Sequence, residues 1–507
     1  MSDSNTSTLA YVAETTWGNT PASPALKKMR ITGESVMHEK DTVISEEVRD
    51  DRQVSDMPEV GSQASGSVNF EMSYEAFQPF LEAAFFSTIT VINETVTVDI
   101  VTGVAATETL TTTDNFAADE TVTVGGVVYT FKAVPAAANE VDIGGDAEGS
   151  IDNLVAAITE AATEGTTYGS GTVVHPTVTA AKASASTMTV TARSEGTGGN
   201  AIACTETAAN ASFGAAVLSG GLEPQIDGSA SDFDNIPVGA TVKIADAVTA
   251  SNNGLKLVTA KAGDGSWIQV ARGSMSADAS SDEITLTGQH LPNGATRKQF
   301  TIERKIQNSV ENDYYQVYRG MTVDGLDLTF ESKAIVTGVL SFLGKLGVDG
   351  DTTSVDNDGT YTDADAGDVV NATSHVGTFL VDRETTSERF KTLNLAIANN
   401  LRGKDAIGES GNFDIGVGSF QVTGSLNAYF QNRAFHQKFI NHDNVAVSFR
   451  VTDPDGNTIV VTIPRMKLGS GTPAIEGKDT DVMINSDFTA IRDATTGFTM
   501  CVDFHDA

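Results

Sequence analysis

The side chains with chemistry to offer are overwhelmingly carboxylates. Across 507 residues, 67 Asp and Glu face 32 Lys and Arg, a formal charge of −35, beside seven His and two Cys. The densest acidic run lies between Val348 and Glu388, with Asp349, Asp351, Asp356, Asp358, Asp363, Asp365 and Asp368 among Gly and Thr. Clustered carboxylates are the hard oxygen donors that calcium takes. Asp356-Asn357-Asp358-Gly359 opens like a calcium loop but lacks the later positions and the distal Glu. The run reads as an acidic linker, and no metal is expected.

Other reactive arrangements are missing. Gly344-Lys345 runs into Leu346 without the upstream glycine of a phosphate-binding loop, and Gly408, Gly411, Gly416 and Gly418 fall in a β-rich stretch and read as turns. The histidines form no zinc-protease motif, so His436 and His442 read as ordinary residues, and there is no nucleophile elbow. With carboxylates this abundant, proposing an acid–base pair carries no weight. Cys204 and Cys501 are too far apart in sequence for a disulfide framework or a zinc cluster and are expected as buried thiols. The chain is therefore read as a non-enzyme with no cofactor. Its charge disfavours a nucleic-acid clamp or an anionic membrane surface. The same charge suits a wall past which a polyanion slides. No basic leader with an apolar core and no run of 18 apolar residues occurs, so a soluble, cytoplasmically made protein without a membrane partner is expected.

The elements that would position such a wall are short alternating strands. Forty-seven glycines with frequent Thr and Val point to a mainly β chain, too long for one core. Gly66–Phe80 (GSVNFEMSYEAFQPF) has an echo at Gly424–Lys438 (GSLNAYFQNRAFHQK): an offset of 358 superposes Gly66 on Gly424, Asn69 on Asn427 and Phe77 on Phe435. A second match, Leu26-Lys27 on Phe390-Lys391, has an offset of 364, which predicts a first-copy connection six residues longer. In the first copy Ser65, Ser67, Asn69 and Glu71 alternate with Gly66, Val68, Phe70 and Met72, giving one polar and one buried face. Ser73 is expected to cap a helix with Phe77, Phe80, Leu81 and Ala84 on one stripe, which Pro79 would bend or shorten. Leu326, Leu328 and Phe330 oppose Asp327, Thr329 and Glu331 on a ribbon that turns at Ser332-Lys333. In the second copy Phe420–Phe430, carrying Gln421, Thr423, Ser425 and Asn427, and Lys478–Phe488 give ribbons, with Val482 and Ile484 alternating with Asp481, Met483 and Asn485.

Taken in order, the expected organisation is an N-terminal arm at 1–25, a first module at 26–88 with 298–347, an inserted β-rich domain at 89–222, a small β-barrel at 223–297, the acidic linker at 348–388, and a second module at 389–507. Each module is expected as a β-sandwich with a short helix and a barrel-forming ribbon. Met37–Ala64 reads as a long charged loop suited to docking, with Glu46, Glu47, Arg49, Asp50, Asp51 and Arg52 at its centre.

Four stretches together resemble the major tail tube proteins of long, flexible-tailed bacteriophages: SEEVRDDRQVSD, SGSVNFEMSYEAF, FTIERKI and YRGMTVDGLDLTFESKAIVTGVLSFLGK. The resemblance covers Leu26–Phe86 and Asp232–Lys345 and, more faintly, the last module. Ile89–Gly221 resembles a separate β-rich domain that recurs in phage structural proteins. The resemblance implies ribbons that join those of neighbours into a barrel around a channel, in rings that stack into a tube for the genome. On it, the channel would be faced by Ser65, Ser67, Asn69, Glu71, Asp327, Thr329, Glu331, Gln421, Thr423, Ser425, Asn427, Asp481, Met483 and Asn485, and the loop at Glu46–Arg52 would stack rings. It also implies virion tail partners, including tape measure and terminator proteins, transient passage of DNA, and assembly in the host cytoplasm. Two modules per chain imply a trimeric ring that imitates a hexamer. A surface decoration or adhesin protein is the competing reading; it leaves the duplicated polar ribbons without a purpose.

Overall fold

The computed structural model describes residues 6–161, 164–271, 275–278, 282–307, 312–351, 353–357, 359–373, 375–381, 384–385, 389–431, 434–475, 477–478 and 480–507. Asp358 and Glu388 lie outside the described residues. The chain is mainly β, as its alternating Val- and Thr-rich runs require. Contacts divide it into two units: Met1–Ile92, Gly239–Thr241 and Thr287–Ala507, and Asn93–Val238 with Val242–Leu286.

The first unit holds the duplication. Its first copy comprises β1 (Thr8–Ala13), β2 (Gly33–Glu34), β3 (Met37–Thr42), β4 (Glu59–Glu71), helix α1 (Gln78–Phe85), β5 (Gln299–Ile306), β6 (Tyr314–Glu331), β7 (Thr337–Leu343) and β8 (Leu346–Asp351). The second comprises β9 (Val376–Val381), β10 (Phe390–Ala398), β11 (Arg402–Lys404), β12 (Asp414–Gly416), β13 (Gln421–Tyr429), helix α2 (Ala434–Asn441), β14 (Val445–Thr452), β15 (Thr458–Leu468), β16 (Pro473–Ala474), β17 (Met483–Ala490) and β18 (Cys501–His505). Pairing repeats strand for strand. The outer sheets run β1–β5–β6–β8 and β9–β14–β15–β18. The ribbon sheets run β2/β3–β4–β7–β6 and β10–β13–β17–β15.

The ladders correct the offset of 364. Gly33 stands opposite Asn69 and Thr392 opposite Asn427, so β2 corresponds to β10 at an offset of 359 (Gly33 to Thr392), one more than the 358 of Asn69 to Asn427. The expected six-residue difference is absent; a Leu-Lys and a Phe-Lys dipeptide matched by chance, whereas a ladder fixes every pair at once. The long loop at Met37–Ala64 is likewise a hairpin, β3 paired with β4 from Met37↔Ser65 to Thr42↔Glu59. Its charged strand has little to bury and is held by backbone bonds, so periodicity did not reveal it.

Burial explains the rest of the first copy. Phe70 stacks on Phe77 at 4.1 Å, and Phe80 meets Tyr11 and Phe300 at 4.6 and 4.9 Å. A fully buried Phe is worth about 1.5–3 kcal/mol. Ser73 does not cap α1. The helix begins five residues beyond it with Pro79 in its first turn, where a missing N–H costs nothing. The N-terminal arm contributes a strand: Leu9, Ala10 and Tyr11 are buried, and buried Glu14 accepts bonds from Gly18 N, Thr301 Oγ1 and Gly320 N at 2.6, 2.7 and 2.9 Å.

The acidic linker is clamped rather than slack. Asp365 and Asp363 pair with Lys27 and Lys28, each at 2.6 Å, and Arg30 donates to Gly367 O. Fully buried Glu303 on β5 accepts from Ser354 Oγ, Val355 N and Tyr361 OH at 2.6–2.8 Å.

Thr90–Val101, Gln225–Asp227, Trp267–Val270, Gly254–Lys261, Thr241–Ala245 and Asp282–Pro292, most of whose residues fall in the second unit, close a six-stranded barrel. Its first strand alternates buried Ile92, Val96, Val98 and Ile100. That strand belongs to the barrel and not to the β-rich insert expected at 89–222. Val101 stands opposite Gln225, and the chain between them forms a subdomain of two four-stranded sheets and the helix Ala147–Thr159. Asp146 caps that helix through Gly149 N at 2.9 Å, and Ile151, Leu154 and Ile158 are buried. Within the subdomain the strands Thr121–Val124 and Val127–Lys132 form a hairpin that turns at Gly125-Gly126, both with positive φ (53° and 83°), as a two-residue turn between twisted strands requires.

Candidate functional site

The two ribbon sheets are joined edge to edge. β6 pairs with β10 from Gly325↔Ala398 to Glu331↔Thr392, making one antiparallel sheet ordered β4–β7–β6–β10–β13–β17. Because side chains alternate, whole rows share a face. One buried row reads Phe70, Gly338, Leu328, Leu395, Gly424, Phe488, and the Phe rings at its two ends fill the space above the adjacent glycines.

The opposite face is polar. One row reads Glu71, Thr337, Thr329, Asn394, Ser425, Asp487; the next reads Asn69, Val339, Asp327, Ala396, Thr423, Thr489. A third, shorter row runs Glu331, Thr392, Asn427, Asn485. Four acids fall in these rows, and the second row continues past Thr489 onto β15 at Lys467. Asn394 Nδ2 donates to Ser425 Oγ at 3.1 Å, and Asn427 donates to Asn485. The face is concave at the β6–β10 seam, a hollow of about 520 Å³ over Asp327, Thr329, Asn394, Thr423, Ser425 and Asp487. The hollow strips water from Asp327 and raises its carboxyl above the ordinary range.

This face gathers most residues marked in the sequence. Ser65, Ser67, Asn69 and Glu71 project from β4, Asp327, Thr329 and Glu331 from β6, Gln421, Thr423, Ser425 and Asn427 from β13, and Met483 and Asn485 from β17, all opposite to buried neighbours. Asp481 falls outside: β17 begins at Met483, and Val482, expected to be buried, is exposed. Thr337, Asn394, Asp487 and Thr489 were missed. The alternation of Leu393, Leu395 and Ile397 could have found Asn394, and the alternation of β17 continues through Asp487 to Thr489.

A model of the phage tail tube protein family matches the chain twice, over residues 4–256 and 211–490. The chain belongs to the phage tail tube proteins. Its role is therefore structural, in the tail of a virion. No curated protein matches the chain. Among the described residues, no helix of this tail tube protein is long and apolar enough to cross a membrane.

Two other groups of the tail tube chain were singled out by their chemistry. At the tip of the β3–β4 hairpin, Arg49 pairs with Asp51 at 2.7 Å, while Glu46, Glu47, Asp50 and Arg52 are exposed beside Val43, Ile44, Val48 and Val54. The hairpin of β11 and β12 is its counterpart. Val43 N bonds Pro58 O and Ser45 N bonds Asp56 O, as Arg402 pairs with Gly416 and Lys404 with Asp414. Buried His290, Cys501 and Asp503 bring ligand atoms within 4.8 Å of one another. Those atoms are engaged in the fold: His290 Nδ1 and Asp503 Oδ1 lie 2.5 Å apart, Thr241 N donates to Asp503 Oδ2 at 2.8 Å, and Cys501 Sγ donates to Gly239 O at 3.7 Å. Burial pushes the thiols of Cys501 and Cys204 up, Cys204 to about 12, which leaves both inert.

Proposed function

We propose that three copies of this chain form a ring and that rings stack into the tail tube of a long, flexible-tailed phage, through which DNA leaves for the host. The observation that carries the reading is the concave polar sheet running unbroken through both modules across the β6–β10 seam, with four acids in its rows and a single Lys, Lys467, where one row ends on β15. A curved sheet continued by its neighbours closes into a barrel and removes exposed edges. Its concave face then lines the channel, with Ser65, Ser67, Asn69, Glu71, Asp327, Thr329, Glu331, Gln421, Thr423, Ser425, Asn427, Met483 and Asn485 toward the lumen. Fixed carboxylates repel DNA phosphates, so the polyanion passes without sticking. Asp481 sits at the rim.

The hairpin tip from Glu46 to Arg52, with exposed Val48 at its centre, docks on the adjacent ring. The modules at 26–88 with 298–347 and at 389–507 form the tube wall, the insert at 89–222 serves as a decoration domain, and tape measure and terminator proteins are partners during assembly in the host cytoplasm. Purified protein imaged in negative stain is expected to show rings or hollow tubes; discrete particles at all concentrations would exclude this reading. Cryo-microscopy of the tubes is expected to count three chains per ring, and six would refute the trimer.

A further inference from the structure

The β6–β10 seam joins unlike edges of two equivalent modules, so each module has a β6-type edge and a β10-type edge. One of each is used inside the chain, and one of each is left over. Such a head-to-tail contact can repeat between molecules and close a ring.

The ladders identify the leftover edges by residue. Ser65 and Thr423 are equivalent, so their partners Leu343 and Thr489 are too. Thr322 stands opposite Leu343 and Lys467 opposite Thr489, while Thr329 stands opposite Thr337 and Ala474 opposite Met483. Thr322–Thr329 of β6 therefore corresponds to Lys467–Ala474, an offset of 145 at both ends. Leu328 maps to Pro473 and Phe330 to Ile475. On the other side, the 359 offset maps Leu395 of β10 to Val36. Within the chain Leu328 faces Leu395. Between chains Pro473 would therefore face Val36.

The atoms at these two edges match in a way the offsets did not impose. Pro473 has no N–H to give, which is why proline is tolerated on an edge strand. The carbonyl that would have received that bond, Val36 O, already accepts from Arg304 Nη2 at 2.5 Å. Val36 N, the donor on the same edge, is held by Glu34 Oε2 at 2.8 Å, a side chain that can yield to a backbone carbonyl. Ile475 is 85% exposed at the position where Phe330 is buried against Phe449.

We infer that the edge from Ser470 to Ile475 of one copy pairs antiparallel with the β2–β3 edge of a second copy, Pro473 opposite Val36, repeating the internal seam. The inference rests on the ring proposed above and specifies its contact. Arg304 supplies the hydrogen bond that Pro473 cannot.

Disulfide trapping tests the register. Thr329 and Asn394 face each other across the internal seam, and Ala474 and Ser35 are their counterparts between copies. Antiparallel neighbours at such positions lie close enough for a disulfide. Oxidised Ser35→Cys/Ala474→Cys protein is expected to run as dimers and closed trimers on a non-reducing gel, with most of the chain cross-linked; Cys204 and Cys501 are buried and contribute no background. A Thr329→Cys/Asn394→Cys control should oxidise within one chain. If wild-type rings appear in negative stain and the control oxidises, but the test pair stays monomeric, the seam is overturned while the tube reading stands. If wild-type protein forms no rings, the tube reading itself falls. Ile475→Asp covers a misfolded cysteine variant: it is expected to give folded monomer by circular dichroism with assembly reduced roughly tenfold or more. Undiminished rings from that variant would also overturn the seam.

Discussion

The ring of Phe70 on β4 lies over Gly338, its partner directly opposite on β7, where a Cβ would come within 2.3 Å of Phe70 Cζ. Phe70 is itself stacked on Phe77 and cannot retreat. Gly338→Ala is therefore expected to destabilise the first unit by about 1–3 kcal/mol as an overpacked core substitution. Gly263→Ala, where a Cβ meets nothing within 4 Å, is expected to be close to neutral. Denaturant midpoints followed by Trp17 and Trp267 fluorescence compare the two.

Glu303 holds the acidic segment through three donors. Glu303→Gln replaces an acceptor oxygen with a donor facing them, which is expected to cost about 1–3 kcal/mol. Limited proteolysis should then cut between 353 and 370 at protease levels that leave the wild type whole; an unchanged digest would count against the clamp.

The Asp414 carboxyl is held down to about 2 by Lys404 and also by Arg297. Its folded value lies below its ordinary 3.8, so its stabilisation is present above that value and disappears as pH falls toward 2. The group is partly exposed, which limits the effect to about 1 kcal/mol or less. Asp414→Asn should be less stable than wild type at pH 5 and equal to it at pH 2 in paired unfolding curves.

Asp327 shifts the other way, raised by loss of water in the hollow. Its charge is a burden at neutral pH, so Asp327→Asn is expected to stabilise the isolated chain at pH 7, with the gain shrinking as pH drops and the wild-type carboxyl protonates. Parallel melts at pH 7 and pH 4 would reveal the trend or its absence.

For tubes, charge reversal of Glu71, Asp327, Glu331 and Asp487 to Lys should create DNA retention where wild-type tubes have none. The retention should weaken steeply with added salt. Filter binding of short duplexes at several salt concentrations measures it.

Much of this was legible in the sequence because burial on one face writes a period of two. The faces of Gly66–Phe80 and of Leu326–Glu331, and the equivalence of Asn69 with Asn427, needed nothing more. The β6–β10 seam was not legible, since periodicity says which way a side chain points and not which strand lies beside it. The β3 strand MHEKDT escaped for a related reason: its residues are half-buried or exposed, and its pairing is carried by backbone bonds that any sequence can make. The clamp on Glu303 was invisible because its partners are some 50 residues away in sequence and are a hydroxyl, an amide and a phenol with no pattern between them.

Val101 facing Gln225 has a consequence of its own. The two residues stand where the ends of an ordinary hairpin turn would stand, so everything between them occupies the place of a turn. To the barrel, such a subdomain is a long loop, and the closure entropy of a loop rises only with the logarithm of its length. Replacing residues 102–224 with Asn-Gly should leave the barrel melting as before. The same port should accept any other domain whose termini lie one strand spacing apart, making this position a socket for cargo.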